Sequence, residues 1–233
     1  MFLVGIIVYI IDMKKIILDL CGGTGAWSKY YSQNPEYKVF NLTLPDYDIV
    51  RLAELPSEVA YALQEGKVYG ILAAPPCTQF SIARNDKTAK QARDMEKGME
   101  VVHACLKIIW WAQYKKFRKG EGLQFWCLEN PASGYLQRFL GKPAMIFEPY
   151  EYGDPYTKKT ALWGKFKEPK RLDFKRKPSG LYGTMVKYAS NKEFKDLKPV
   201  DPEYQKRLGV DTRTIRRSIT PDGFAKAFYE ANK

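Results

Sequence analysis

The stretch Ile16-Ile-Leu-Asp-Leu-Cys-Gly-Gly-Thr-Gly25 sets the fold of the chain. Its first half is a short, nearly continuous apolar run, which is typical of a strand buried in a parallel sheet. Its second half turns through glycines, whose lack of a Cβ lets the backbone approach a ligand closely. A strand that runs into such a turn predicts either a nucleotide-like cofactor site or a tight strand-to-helix connection.

The charge of this loop narrows the choice of cofactor. Phosphate-binding loops use lysine and backbone amide donors, and no Gly-Lys-Ser/Thr follows here. Asp19 instead places a carboxylate beside the glycines. A carboxylate suits a cofactor with a positively charged amino acid end. We therefore expect S-adenosylmethionine, which has such an end, rather than the ligand of a P-loop.

Segments typical of strands and of helices alternate outward from the loop. Strands are predicted over Ile16–Leu20, Tyr37–Leu44, Val68–Ala73 and Leu123–Leu128, and helices over 26–32, Leu52–Gln64 and Thr88–Lys116. This alternation predicts an α/β fold with a parallel sheet. Ligands of such sheets bind just beyond the carboxyl ends of the strands.

Length and composition bound the possible functions. The 233 residues are enough for one domain with a hydrophobic core, and an aromatic share of 14% excludes disorder of the whole chain. The net charge of +12 favours a nucleic acid partner first and an anionic membrane surface second. The cysteines lack the spacing of a zinc site, which indicates free thiols in a cytoplasmic protein. The apolar segment 1–12 is too short to span a membrane and is a possible extension before Met13.

The character of the chain changes after Gly164. Basic residues become frequent there, and aromatic residues such as Phe166 and Tyr182 are interleaved with them. This mixture favours a nucleic-acid surface over a solvated loop. We therefore expect three regions, and their bounds are 13–164 for the α/β domain, 165–215 for a small basic insertion and 216–233 for a helix that returns to the domain.

Three further clusters lie where strands of the predicted sheet end. Pro75-Pro-Cys77 holds a cysteine on a stiff loop, where it is either a nucleophile or a structural thiol. Glu129 follows the fourth strand and is either a proton donor in a cleft or a capping or surface residue. The lysine pair in Tyr156-Thr-Lys-Lys-Thr-Ala-Leu-Trp-Gly164 is either a cation over the same cleft or a solvated pair. Their shared position at strand ends favours the functional interpretation.

Taken in order, these motifs resemble the cytosine-C5 DNA methyltransferases. Asp19-Leu-Cys-Gly-Gly-Thr-Gly-Ala-Trp-Ser28 is similar to the cofactor loop of that family, and Pro75-Pro-Cys-Thr-Gln-Phe-Ser81 to its Pro-Cys nucleophile motif. Glu129-Asn130 is similar to its Glu-Asn motif. The segment from Thr157 to Gly164 looks like a degenerate form of its arginine segment.

The resemblance implies a fold, a cofactor and a mechanism. The fold is that of an S-adenosylmethionine-dependent methyltransferase, a Rossmann-like α/β sheet with helices on both faces and a small basic insertion. In the implied mechanism Cys77 adds to C6 of a cytosine flipped out of DNA, Glu129 acts at N3, and Lys159 takes the place of the family's second arginine. The implied cofactor-binding residues are Asp19, Leu20, Cys21, Gly22, Gly23, Thr24, Gly25, Trp27, Asp46, Asp48 and Pro75.

The chain departs from the family pattern at several positions. Cys21 stands where the family has phenylalanine, Thr78 where it has glutamine and Pro131 where it has valine. The region between Gly164 and the closing motif near Arg216 is short for a target-recognition domain. We therefore expect a compact monomer, as in phage-borne or orphan members, with a short or relaxed DNA target and no membrane partner. The alternatives are an RNA cytosine-C5 methyltransferase and a non-catalytic module that binds S-adenosylmethionine or DNA.

Overall fold

The described strands form one mixed sheet. A computed structural model describes residues 14–82, 92–114, 122–173, 179–185 and 189–233. Strands β1 to β6 are, in chain order, Lys15–Leu20, Tyr37–Leu42, Val68–Ala73, Phe125–Pro131, Met145–Phe147 and Thr160–Lys165. Their order across the sheet is β2-β1-β3-β4-β6-β5. Strands β1 to β4 are parallel, whereas β6 runs antiparallel to both of its neighbours.

Helices connect and flank these strands. Helices α1 to α8 of the described ranges are, in chain order, Lys29–Ser32, Ser57–Gln64, Met95–Tyr114, Gln137–Leu140, Lys192–Leu197, Pro202–Leu208, Thr212–Ser218 and Asp222–Asn232. Short 3-10 turns are formed by Leu52–Glu54, Cys77–Gln79 and Pro149–Tyr152.

Both faces of the sheet are covered by helices. Ile16 of β1 points into a core that α2 and α3 complete, with Ile108 of α3 among its buried residues. Ile17 points to the other face, where α1 and α8 contribute Tyr31 and Phe228. The alternation arises because successive strand residues point to opposite faces. The predicted fold class, a Rossmann-like α/β sheet with helices on both faces, is confirmed.

The strand order creates a crevice at one edge of the sheet. From β1 the chain proceeds to β2 on one side and then to β3 on the other, so the loops that leave β1 and β3 diverge. Open α/β sheets bind ligands at such a point, beyond the carboxyl ends of the strands. Thr160, where β6 begins, pairs with Pro131 at the end of β4. The glycine loop, Cys77, Glu129 and the lysine pair therefore belong to the same edge.

The predicted strands agree closely with the observed ones. The third strand has the predicted bounds, Val68–Ala73. The second ends at Leu42 rather than at Leu44. The fourth spans Phe125–Pro131 rather than Leu123–Leu128, because its pairing with β6 continues to Pro131.

The predicted helices needed more correction. The helix expected over Leu52–Gln64 is divided, because Pro56 lies between a 3-10 turn and α2 and cannot donate a helical hydrogen bond. The helix expected over 26–32 is limited to α1, since turns continue through Ser28. The helix expected over Thr88–Lys116 is observed as α3, which begins only at Met95, because residues 92–94 are not helical. Its predicted ends at 88–91 and 115–116 lie outside the described residues.

The C-terminal region differs from the single helix expected over 216–233. Helix α7 ends at Ser218 and α8 begins at Asp222. Pro221 occupies the N-cap of α8 rather than its first turn. Helix α8 packs on α1 and on the sheet. The possible extension 1–12 lies outside the described residues.

Candidate active site

The glycine loop after β1 is tied to β2. The Gly23 N–H donates to Thr43 Oγ1 at 3.2 Å, and Asn41 Nδ2 donates to the Gly23 carbonyl at 3.0 Å. Gly23 and Gly25 have φ angles of 58° and 72°, which glycine adopts without steric cost. Cys21 has a φ of 57°, an uncommon conformation for a residue with a side chain. The loop is therefore held in one strained shape, as is frequent at binding sites.

Asp19 lies beneath this loop and supports it. Its side chain is fully buried, and Ser28 Oγ donates to its Oδ2 at 2.6 Å. Burial raises the pKa of Asp19 to about 6, although the Ser28 hydrogen bonds act in the opposite direction. A Cβ on Gly22 would lie 2.3 Å from the Asp19 carboxyl carbon, so only glycine fits above the carboxylate. Asp19 Oδ1 has no hydrogen-bond partner in the described structure.

The loop after β3 is held by contacts from two directions. Asn130 Nδ2 donates to the Pro75 carbonyl at 3.0 Å, which joins the end of β4 to the end of β3. The guanidinium of Arg93 donates to the carbonyls of Gln79 and Ser81 at 2.8 and 2.9 Å. Cys77 begins a 3-10 turn between these anchors. Its thiol therefore has a fixed position at the strand edge.

The electrostatic surroundings of Cys77 identify its charged neighbours. The cysteine is half-buried, and burial raises the pKa of its thiol above the ordinary value. The positive charges of Lys158 and Arg217 lower that pKa, whereas the charge of Glu129 raises it. The structure thus brings Cys77 and Glu129 together, as the sequence predicted. Lys159 is exposed, and the lysine whose charge acts on Cys77 is its neighbour Lys158.

Glu129 is the acidic residue of this edge. It lies in β4 and is half-buried, and its Oε2 is buried without a hydrogen-bond partner among the described residues. An unpaired buried carboxylate oxygen is costly unless a ligand or solvent group satisfies it. Glu129 therefore presents an unused acceptor, or a proton when protonated, beside the Cys77 thiol.

A cavity of about 890 Å³ adjoins the glycine loop. Its lining includes Thr24, Gly25 and Ser28 of the glycine loop region together with Lys198 and Asp222. Its volume is within the range of small-molecule sites. The residues present fit an S-adenosylmethionine amino acid end, because the loop permits close approach and the walls carry both signs of charge. Asp19 itself does not line the cavity, but its partner Ser28 does.

Several predicted cofactor residues lie elsewhere. Trp27 is 1% exposed and packs on Phe224 and Phe228 in the core. Asp46 and Asp48 are exposed, and their carboxylates form ion pairs with arginine side chains, Arg207 and Arg51. Leu20 and Pro75 are buried at the strand ends, and Cys21 packs against the core under α3. Thr24, by contrast, is exposed and does line the cavity.

The structure adds residues that sequence reasoning did not select. Asn130 and Arg93 fix the Cys77 loop, Lys158 and Arg217 act on the thiol, and Lys198 lines the cavity. Asn130 stood in the quoted Glu-Asn motif, so its selection was within reach. Lys158 belonged to the lysine pair that the sequence had indicated, although its neighbour Lys159 was the one selected. No signal in the sequence distinguished the other three from the many lysines and arginines around them.

Sequence comparisons with known proteins find no match, whereas a structural comparison does. No protein-family model matches the chain, and no curated protein matches its sequence. A similar solved structure is the methyltransferase EhMeth of Entamoeba histolytica, with 12% identity and a TM-score of 0.38. The match covers 75% of this chain and 59% of the Entamoeba chain, so this chain spans about three fifths of that protein.

Two further observations concern the described ranges. None of their helices has an apolar run long enough to cross a lipid bilayer. They also do not assemble three or more histidine, cysteine, aspartate or glutamate side chains in a way that would hold a metal ion.

Proposed function

We propose that this protein is a methyltransferase that modifies C5 of cytosine in DNA and uses S-adenosylmethionine as the methyl donor. The observation that supports this most is the placement of Cys77 and Glu129 at the ends of adjacent strands. The glycine loop of β1 leaves the next strand at the same edge. A nucleophile, an acid and a cofactor loop are the parts that this chemistry requires.

The residues at the glycine loop would hold the cofactor. Gly22, Gly23 and Gly25 allow its close approach, and Asp19 fixes the loop from below through Ser28. S-adenosylmethionine supplies an electrophilic methyl group when it is bound. The remaining chemistry belongs to the side chains of this chain.

Cys77 and Glu129 have complementary roles in the proposed reaction. Cytosine C5 is a poor nucleophile until another group adds at C6. The Cys77 thiolate forms a bond to C6, while Glu129 donates or holds a proton at N3, so electron density moves to C5. After methylation of C5, a base removes the C5 proton and the bond from C6 to Cys77 sulfur breaks. The products are 5-methylcytosine, S-adenosylhomocysteine and the free thiolate, and the proton at N3 returns to Glu129.

Basic side chains at the site edge support a nucleic acid substrate. Lys192 and Lys195 of α5 are exposed and precede Lys198, which lines the cavity. The first lysine of the basic insertion, Lys165, pairs with Trp126 near the start of β4 and so lies at the opposite edge. The insertion returns to the site edge at Thr184, which bridges to Thr157. Because the insertion is short for a target-recognition domain, we expect a short DNA target.

The test is covalent trapping with 5-fluorocytosine. Fluorine at C5 cannot leave as a proton does, so the Cys77 adduct persists after methyl transfer. We incubate the protein with S-adenosylmethionine and with duplex or single-stranded DNA that contains 5-fluorocytosine. We expect a denaturation-resistant complex, in which peptide mapping finds the DNA attached to Cys77. The Cys77→Ala variant should form none, whereas Thr78→Ala, a change at the neighbouring exposed residue, should still form it.

The other outcomes identify the alternatives. An adduct only with 5-fluorocytosine in RNA would make the protein an RNA methyltransferase. Tight S-adenosylmethionine binding without an adduct on either polymer would make it a binding module. An adduct that persists in Cys77→Ala would refute the assignment of the nucleophile.

A further inference from the structure

Lys198 is a buried lysine in the wall of the cavity. It follows α5 directly, and its residue is 5% exposed. Its Nζ donates to the Ile219 carbonyl at 2.6 Å and lies 4.9 Å from the centroid of the Tyr156 ring. The glycine loop lines the same cavity through Thr24 and Gly25. A long side chain that is buried yet lines a cavity is held there by these contacts.

Among the described residues, the ammonium of Lys198 has no carboxylate partner. No aspartate or glutamate oxygen in those ranges forms an ion pair with it at 4.0 Å or less. Asp222 accepts hydrogen bonds from Lys29 and Tyr30 at 2.8 and 2.9 Å, and Asp154 accepts one from the Gly223 N–H at 3.1 Å. Asp222 and Asp154, the two carboxylates that line the cavity with Lys198, are therefore engaged by other groups. A buried charge without a counter-ion is costly, so the site favours an anionic ligand.

The surroundings of Lys198 indicate which anion fits. Burial and, to a smaller extent, the charge of Lys158 lower the pKa of Lys198 to about 7, against the opposite effect of the carboxylates of Asp154, Glu129 and Asp222. The side chain is thus within electrostatic range of both the cavity carboxylates and the Glu129 edge. A ligand that meets Lys198 and the glycine loop needs a negative group next to a positive one. A zwitterionic amino acid end has both.

We propose that Lys198 binds the carboxylate of the amino acid end of S-adenosylmethionine in the cavity that the glycine loop also lines. This inference rests on the proposed function. Asp154 and Asp222 also line the cavity and would bind the ammonium of that end. Lys198 is accordingly a binding residue that orients the cofactor and has no part in the bonds that change.

The test compares two ligands that differ by one carboxylate. Binding of S-adenosylmethionine and of decarboxylated S-adenosylmethionine to the full chain is measured by isothermal titration calorimetry. The variants are Lys198→Met, Lys198→Arg and the control Lys29→Met, whose lysine also lines the cavity but is paired with Asp222. Circular dichroism melting verifies that each variant is folded.

The expected pattern is specific to the carboxylate. Lys198→Met should weaken S-adenosylmethionine binding by about 10- to 100-fold, as expected for the removal of a charge-assisted hydrogen bond, and leave the decarboxylated ligand unaffected. Lys198→Arg should recover part of the affinity, and Lys29→Met should keep the preference for the carboxylated ligand.

Two results would overturn the inference, and they are distinguishable. If the wild-type chain binds S-adenosylmethionine but Lys198→Met weakens both ligands equally or neither, the role of Lys198 is wrong and the proposed function stands. If the wild-type chain binds neither ligand, the cofactor assignment itself fails, and the inference fails with it.

Discussion

Lys158 and Lys159 are neighbours in the sequence but differ in what they reach. Lys159 is exposed, whereas Lys158 is half-buried and its charge lowers the pKa of the Cys77 thiol. In the proposed reaction the thiolate is the reactive form, and burial already raises the pKa of this thiol. The activity should therefore rise with pH through the alkaline range, as the thiolate fraction grows.

Replacing each lysine separately tests this difference. Lys158→Met removes a positive charge near the thiol, so the apparent pKa in the pH–rate profile should rise by about one unit and the rate at pH 7 should fall about tenfold. Lys159→Met should leave the profile in place. The measurement is the pH dependence of kcat/KM for methyl transfer, and equal shifts in the two variants would contradict the assignment of Lys158.

The residues of the site divide into those the sequence could and could not indicate. Cys77 follows β3 and Glu129 lies near the carboxyl end of β4, and an apolar run indicates where a strand ends. Lys198 and Arg217 come from the short helices after β6, and their approach to the cavity and to Cys77 depends on how α5 and α7 pack. Local patterns carry no information on such packing. The selection of Lys159 instead of Lys158 has the same origin, because the two lysines differ in burial, which their order in the chain does not reveal.

At the scale of elements, the bounds of a strand or helix were predicted best where residues such as proline end it. Strand β3 had the predicted bounds, since Pro75 and Pro76 follow it and cannot extend a ladder. Strand β5 has only three residues and produced no period to detect. The tail was predicted as one helix over 216–233, but the chain leaves the helical conformation at Ile219, before Pro221.

Helix α8 depends on a close approach at its first turn. A Cβ on Gly223 would lie 2.0 Å from the Tyr152 carbonyl oxygen. Alanine ordinarily stabilises a helix relative to glycine. Here we expect Gly223→Ala to lower the free energy of unfolding by about 1–3 kcal/mol, because backbone must move to admit the methyl group.

Urea denaturation provides the measurement for this helix. Lys226→Ala, at an exposed position of α8, is the matched control and should change the free energy of unfolding by less than about 0.5 kcal/mol. A stabilised Gly223→Ala protein would mean that α8 does not pack as closely on Pro149–Tyr152 as described.

At the scale of the whole molecule, exposed lysines lie at both edges of the sheet. The net charge of +12 predicts DNA binding that weakens steeply with salt. The exposed Lys192 and Lys195 lie near the cavity edge, whereas Lys165 lies at the opposite edge, followed by the exposed Lys167.

A pair of double variants compares these edges. Lys192→Gln/Lys195→Gln should reduce the slope of log K against log salt by up to about 2, because each phosphate that a lysine neutralises adds about 0.9 to that slope. Lys165→Gln/Lys167→Gln removes the same charge and should leave the slope nearly unchanged. Fluorescence anisotropy with a short duplex measures both slopes. Equal changes in the two double variants would contradict the prediction that DNA binds at the cavity edge.

The packing of Trp27 on Phe224 and Phe228 has a consequence for biosynthesis. Trp27, Tyr31 and Phe125 belong to one aromatic face of the sheet. Side chains of α8 complete this face, about 100 residues after Phe125 and nearly 200 after Trp27. During translation this face stays uncovered until α8 has left the ribosomal exit tunnel. A nascent chain stalled before Asp222 would therefore expose an apolar surface to chaperones and proteases. The fluorescence emission of Trp27 would report the final stage of folding, in which α8 covers this surface.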